Sequence, residues 1–282
     1  MRLKLDQVSL FLNKHHLISM TSHPISSKTI FFFAAICVVF AVVLCSHNTS
    51  SEEVIRAARC GDTQVLSQAL SDGIMVDALY HTIERVGRRS VGTTVSLLHI
   101  AALYDQIPII DLLLEANVTV DIVNDRGFSA LHLAAMTDHV DVMRKLITAG
   151  ADIELRNNKG HTPLHSATRE GAEHAARFLI DMGADIHAHD IGFHTPLHRA
   201  SQNGLVDIVD LLIQKGADVN VLSSYHSAPI HHAVARNHPE IVARLLEAGA
   251  VIDVKNSKGR TPLDIAEKNG FEEISRLLRS VP

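Results

Sequence analysis

Nineteen histidines stand in this chain, and imidazole is both a general base near neutral pH and a common metal ligand. Five of them are the last residue of a phrase that returns at a constant 33-residue interval: Ser96-Leu97-Leu98-His99, Ser129-Ala130-Leu131-His132, Thr162-Pro163-Leu164-His165, Thr195-Pro196-Leu197-His198 and Ala228-Pro229-Ile230-His231. A sixth copy, Thr261-Pro262-Leu263-Asp264, carries Asp264 instead. Each ring falls near the third position of a helix, within reach of the cap or the adjacent loop, which is a structural role. A different group is His187, His189 and His194, with His161 at the offset of His194 one repeat earlier. Stacked loops would bring two or three of these rings together, but zinc sites favour short spacings with Cys or carboxylate support. A His-rich, zinc-binding exported protein therefore stands as an alternative to a hydrophilic loop surface. The chain has no Gly-rich phosphate loop, no paired nucleophile and base, and no His-Glu-x-x-His. The expectation is no catalysis, no cofactor and no metal.

The elements that position these rings follow from the same period. Thr162, Thr195 and Thr261 each precede a proline, the order of an N-cap followed by the first helical residue. Nine residues beyond each phrase start stand Asp105, Asp138, Gly171, Gly204, Asn237 and Gly270, all tolerant of the left-handed backbone that ends a helix. Further apolar groups (Leu112-Leu113-Leu114, Leu146-Ile147, Phe178-Leu179-Ile180, Leu211-Leu212-Ile213, Leu245-Leu246) predict a second helix with one buried stripe. That helix ends at Asn117, Gly150, Gly183, Gly216 and Gly249. Turn residues such as Asn124-Asp125-Arg126-Gly127 and Asn157-Asn158-Lys159-Gly160 then predict a protruding loop. Units of this kind cannot bury their apolar faces alone and must stack.

With its T-P-L-H phrases, paired leucines and segments such as Gly150-Ala151-Asp152 and Gly216-Ala217-Asp218, the chain resembles the ankyrin-repeat family. The resemblance implies an all-α, ankyrin-type solenoid of stacked helix-turn-helix units with protruding hairpin loops, here joined to one N-terminal apolar helix. It also implies a concave face, built from the loop fingers and first helices, that binds a protein partner. Phe193 and His226 replace the turn glycine, so those two fingers are expected to differ in shape. The reading divides 51–282 into a capping unit 51–77, an inserted loop 78–95, and repeats at about 91–123, 124–156, 157–189, 190–222, 223–255 and 256–282, with both ends capped. The 11-residue insertion carries Tyr80, His81, Arg85, Arg88 and Arg89. It reads as a longer solvated hairpin or as a basic finger reaching a partner.

Ahead of the repeats, Ile30 to Cys45 is an unbroken apolar run of 16 residues. Residues 30–46 are expected to form a transmembrane or signal helix, after a basic tail 1–29 and before a linker 47–50. Arg2, Lys4, Lys14 and Lys28 before the run, against Glu52 and Glu53 after it, orient the repeats to the non-cytoplasmic side. Retention and cleavage both remain open, and a start at Met20 would give a conventional signal n-region. The first 50 residues carry four basic and one acidic side chain, so of the net −5 they hold +3 and the repeats hold −8. An acidic surface without Trp is a poor match for nucleic acid. Cys60 is alone in the repeat region, so no disulfide can form within it.

The expected function is a membrane-anchored or exported scaffold that binds protein, with a secreted effector acting on a host or partner protein as the alternative. On the finger tips the contact residues are expected to be Arg126, Lys159, Phe193, Tyr225, His226 and Arg260. On the exposed side of the first helices they are Leu133, Arg169, Arg199, His232 and Arg236. Aromatic and arginine side chains dominate interface energetics.

Overall fold

The computed structural model describes residues 50–86 and 89–281. The apolar run at 30–46 lies outside the described residues, and among those described no helix is long and apolar enough to cross a membrane. Among the described residues, fourteen helices of seven to ten residues alternate with tight connections. The first pair is α1 (Ser51–Cys60) and α2 (Thr63–Ser71). After a hairpin, β1 (Tyr80–Val86) and β2 (Arg89–Val95), come α3 (Leu97–Leu103) and α4 (Ile107–Glu115), then α5 (Ala130–Met136) and α6 (Val140–Thr148). The remaining pairs are α7 (Pro163–Glu170) with α8 (Glu173–Asp181), α9 (Pro196–Asn203) with α10 (Val206–Gln214), α11 (Pro229–Ala235) with α12 (Pro239–Glu247), and α13 (Pro262–Asn269) with α14 (Glu272–Arg279).

Helices this short are unstable alone, so packing must hold them. All seven residues of α3 and of α5 are buried. The second helices bury one stripe each, as with Val142, Met143 and Leu146 on α6 or Ile208, Val209 and Leu212 on α10. Each first helix packs on the first helices before and after it, α7 against α5 and α9, and one apolar core runs through the whole stack. Local chemistry sets the ends. Pro163, Pro196, Pro229 and Pro262 open their helices, and Asp105, Asp138, Gly171, Gly204, Asn237 and Gly270 all adopt positive φ.

The insertion adds the β element. β1 and β2 pair antiparallel from Tyr80↔Val95 to Val86↔Arg89, with register shifts around Glu84. Tyr80 and Val95, both buried, root the hairpin in the core. Its base is tied to the next finger, where the Thr94 N–H donates to Asp125 Oδ1 (3.2 Å) and the Asp125 N–H to Thr94 Oγ1 (3.2 Å).

The phrase histidines join one repeat to the next. The Ser96 N–H donates to His99 Nδ1 (3.1 Å), while His99 Nε2–H donates to the Phe128 carbonyl (2.7 Å). Likewise His132 accepts from Ser129 N–H (3.2 Å) and donates to His161 O (2.9 Å). His165 accepts from Thr162 N–H (3.4 Å) and donates to His194 O (3.0 Å). His198 accepts from Thr195 N–H (3.1 Å) and donates to Ser227 O (3.0 Å). His231 accepts from Ala228 N–H (3.2 Å) and donates to Val254 O (3.0 Å). Accepting through one nitrogen and donating through the other is possible only for a neutral ring. Burial holds His99, His132, His165 and His198 down to about 4, the carbonyl bonds offsetting this only in part.

Acid should therefore unfold the repeats. The unfolded histidines charge at about pH 6.5 while the folded ones stay neutral, so the unfolded state binds more protons and stability falls as pH drops from there. Four rings give a slope of about 5 kcal/mol per pH unit, against a typical total stability of about 5–15 kcal/mol. Far-UV circular dichroism is expected to show loss of helix between about pH 4 and pH 6, with uptake of at least about four protons. A melting temperature that stays flat across that window would show that the rings are not buried and neutral.

Candidate functional site

Five fingers share one local design. Asn124 Oδ1 accepts from the N–H groups of Arg126 (2.9 Å) and Phe128 (3.0 Å), and Asn157 Oδ1 from those of Lys159 (2.8 Å) and His161 (3.1 Å). Asp190 and Asn256 repeat the pattern, and Ser223 accepts only from Ser227 N–H at 3.4 Å. Successive fingers are joined through the main chain: Asn158 N–H to Arg126 O (3.1 Å), Ile191 N–H to Lys159 O (3.1 Å), Ser224 N–H to Gly192 O (2.9 Å) and Ser257 N–H to Tyr225 O (2.8 Å). Gly127 is required by that closeness, because a Cβ there would lie 2.7 Å from the Asn158 nitrogen.

The fingers carrying Phe193 and His226 were expected to differ in shape, and they do not. Phe193 (φ 57°) and His226 (φ 51°) occupy the left-handed region as Gly127, Gly160 and Gly259 do. Their N–H groups close the same turn, to Asp190 O (2.9 Å) and Ser223 O (2.8 Å). The turn and the rung to the neighbouring finger override the conformational cost, about 1–2 kcal/mol for a residue with a Cβ.

At the tips, Arg126, Lys159, Phe193, Tyr225 and His226 are exposed, and Arg260 is half-buried. Phe193 and Tyr225 show 53% and 61% of their surface, and Ile191, not anticipated from sequence, shows 73%. On the helices the expected exposure holds for Arg236 and fails elsewhere. Leu133 is fully buried, packed with Leu103, Met136 and Phe128 in an apolar cluster separate from the main core. Arg169 and Arg199 are only partly exposed, at 27% and 17% of the side chain. His232 is largely buried, and burial, followed by the neighbouring His198, His194 and Arg199, pushes the ring down to about 3.

What absorbs Arg199 is Asp190, which stands where the other fingers have Asn124, Asn157, Ser223 and Asn256. Its carboxylate is 3% exposed and lies 2.6 Å from an Arg199 guanidinium nitrogen and 3.3 Å from His161 Nε2. His194 Nδ1 lies 3.2 Å from the other carboxylate oxygen, and an Arg169 guanidinium nitrogen lies 3.3 Å from His161 Nδ1. Burial alone would raise the Asp190 pKa; the bonds from His161, His194 and Arg199 outweigh it and hold the carboxyl well below the usual range. Arg169, His161, Asp190 and Arg199 thus link two fingers to α7 and α9. The sequence signal was a lone carboxylate where the other fingers open on three amides and a serine, with an arginine nine residues on.

The histidines proposed as a cluster separate into two settings. His161 and His194 meet at Asp190, whereas His187 and His189 are exposed, His189 stacking on Phe193 at 4.7 Å. Among the described residues no group of three or more His, Cys, Asp or Glu is placed to hold a metal ion. His232 packs edge-on against His194 and His198, at 5.4 Å from each, and its Nε2 has no hydrogen-bond partner. At the same offset on α7 and α9, Ser166 Oγ and Arg199 Nε also lack partners. Nearer the N-terminal end, Arg126, Lys159 and Arg169 gather around a depression of about 480 Å³, together with Phe128, Met136, Asn157, Asn158 and Glu170.

A family model described as ankyrin repeats (3 copies) matches residues 98–190 and 197–281, and one described as ankyrin repeats (many copies) matches 169–213. A search of curated proteins found no match.

The Asp190 network can be dissected by a double-mutant cycle. Asp190→Asn keeps an oxygen for the finger amides, as Asn157 shows, but leaves Arg199 without its carboxylate. It is expected to lower stability by about 2 kcal/mol, and by less than about 1 kcal/mol when Arg199 is already Met. Equal costs in both backgrounds, measured by urea unfolding, would place the carboxylate's contribution elsewhere.

Proposed function

Because the chain belongs to the ankyrin-repeat family, we propose that residues 51–282 form a non-catalytic module that binds a protein partner along the face shared by fingers and first helices. The observation that carries this reading is the pair of exposed aromatic side chains on adjacent fingers, Phe193 and Tyr225. Phe193 is kept at positive φ where three other fingers have glycine. Strain retained at a surface tip, with a large apolar group to show for it, fits a contact made with another molecule. Glycine would serve the fold better there. The polar groups of the face are tied into structural networks rather than set out as a nucleophile and base.

Residues 30–46 would tether this module to a membrane or export it across one, with the repeats on the non-cytoplasmic side. The apolar length and the basic flank support that arrangement. The acidic charge of the repeats disfavours nucleic acid.

A photo-crosslinking amino acid at Tyr225 is expected to capture a discrete protein in cells, whereas the same group at Gln214, exposed on α10, is not. Phe193→Gly should leave stability within about 1 kcal/mol of the parent while weakening that capture about tenfold. Equal capture from both positions, or none from Tyr225, would remove the reading. Protease added from the non-cytoplasmic side should digest the repeats, and protection until the cytoplasm is opened would reverse the topology.

A further inference from the structure

Just beyond α4, Asn117 and Thr119 depart together from what the later repeats carry. We propose that Asn117 is an acceptor for an N-linked glycan, attached as the repeats cross a membrane. The proposal rests on the reading of residues 30–46 as an anchor or export segment. Asn117-Val118-Thr119 is the only place in 51–282 where Ser or Thr follows an asparagine by two residues. That pattern directs an oligosaccharide onto the asparagine amide nitrogen. The same stations read Gly150-Ala151-Asp152, Gly183-Ala184-Asp185, Gly216-Ala217-Asp218 and Gly249-Ala250-Val251 in the later repeats. Both stations must differ from all four counterparts for the acceptor to exist.

The fold requires neither residue. The four glycines leave their helices at φ between 85° and 94°, and a Cβ on any of them would meet no atom within 4 Å, so this corner has room for a large substituent. Asn117 makes the same turn at φ 59°, is exposed, and among the described residues its side chain forms no hydrogen bond. Glycine makes such a turn without strain, and asparagine only tolerates it. Thr119 serves the fold through its N–H, which donates to Asp77 Oδ1 (2.8 Å). The N–H groups of Asp152, Asp185 and Val251 make the same bond, to Asp121 (3.1 Å), Glu154 (2.8 Å) and Asn220 (2.8 Å). Aspartate and valine thus suffice there, and the Thr119 hydroxyl is an addition, donating to Asp77 Oδ2 (2.6 Å). The other such stretch, Asn48-Thr49-Ser50, has a structural use for its hydroxyl: Ser50 Oγ caps α1, accepting from Glu53 N–H (3.2 Å).

The transfer is a substitution. Asn117 Nδ2 attacks C1 of an oligosaccharide carried on a lipid pyrophosphate. The C1–O bond breaks as the C1–N bond forms, the pyrophosphate leaves with the electron pair, and Nδ2 gives one proton to solvent. It must take place while the chain emerges, before Asp77 closes on Thr119. Asn117 belongs to neither the fingers nor the first helices, so the glycan is attached away from the aromatic tips.

The test translates the full-length chain with sealed microsomes competent for N-glycosylation, with Asn48→Gln so that one acceptor remains. A slower-migrating band is expected, collapsed by peptide N-glycosidase, which leaves aspartate at position 117 in the recovered peptide. Asn117→Gly or Thr119→Asp, each copied from other repeats, should abolish the shift, and Thr119→Ser should keep it. A shift that survives Asn117→Gly overturns the proposal. The same acceptor moved one repeat on, by Gly150→Asn and Asp152→Thr in the Asn117→Gly background, reports whether the repeats enter the lumen. Modification at position 150 but not at 117 overturns the proposal and leaves the export reading standing. No modification at either position, with the repeats digested by protease added outside the microsomes, ends both readings. No modification with the repeats protected ends this one alone.

Discussion

A neutral imidazole with a bond on each side holds this stack together. Each phrase histidine takes a hydrogen bond from the residue capping its own helix and, in the first four copies, gives one to a carbonyl of the next repeat's finger. The side chain is long enough to do in one piece what Glu or Gln does at an ordinary capping box, and then to reach further. Each bond contributes only about 0.5–1.5 kcal/mol net. Losing one ring, however, strands a buried amide and a carbonyl together, and leaving both desolvated without partners costs more than the two bonds contribute. Helices of seven to ten residues depend on this, because their own hydrogen bonds do not stabilise them.

The remaining polar groups divide according to which neighbour they find. Asp190 gathers His161, His194 and Arg199 into a buried network at the middle of the stack. Towards the N-terminal end Arg126 and Lys159 line a depression together with Phe128 and Met136, while Phe193 in the Asp190 finger and Tyr225 in the next stand out. One scaffold therefore presents a depression of mixed lining and an aromatic ridge within a few fingers of each other.

Caps, left-handed helix ends and finger turns could be read from the residues because each depends on neighbours a few positions away. Thr162 followed by Pro163 makes a helix start in any setting, and Asn124 folds its own turn. Leu133 could not be placed in the same way. It shares its offset with Arg199 and His232, yet its exposure is set by Phe128, Met136 and Leu103, which arrive from its own finger, its own helix end and the preceding repeat. Asp190 was hidden for the same reason, since its meaning comes from His161 one repeat away. Phe193 and His226 show the converse error. A local preference against positive φ predicted altered fingers, and main-chain bonds to both sides of the turn outweighed it.

The rungs between fingers are made by the backbone carbonyls of Arg126, Lys159, Gly192 and Tyr225, which accept from the amides of Asn158, Ile191, Ser224 and Ser257. Carbonyls are common to every amino acid, so the rungs set no condition on the side chains at those four stations. Arginine, lysine and tyrosine occupy equivalent stations without any change of architecture. The binding alphabet is thereby uncoupled from the spine that carries it, and new recognition can be acquired one fingertip at a time.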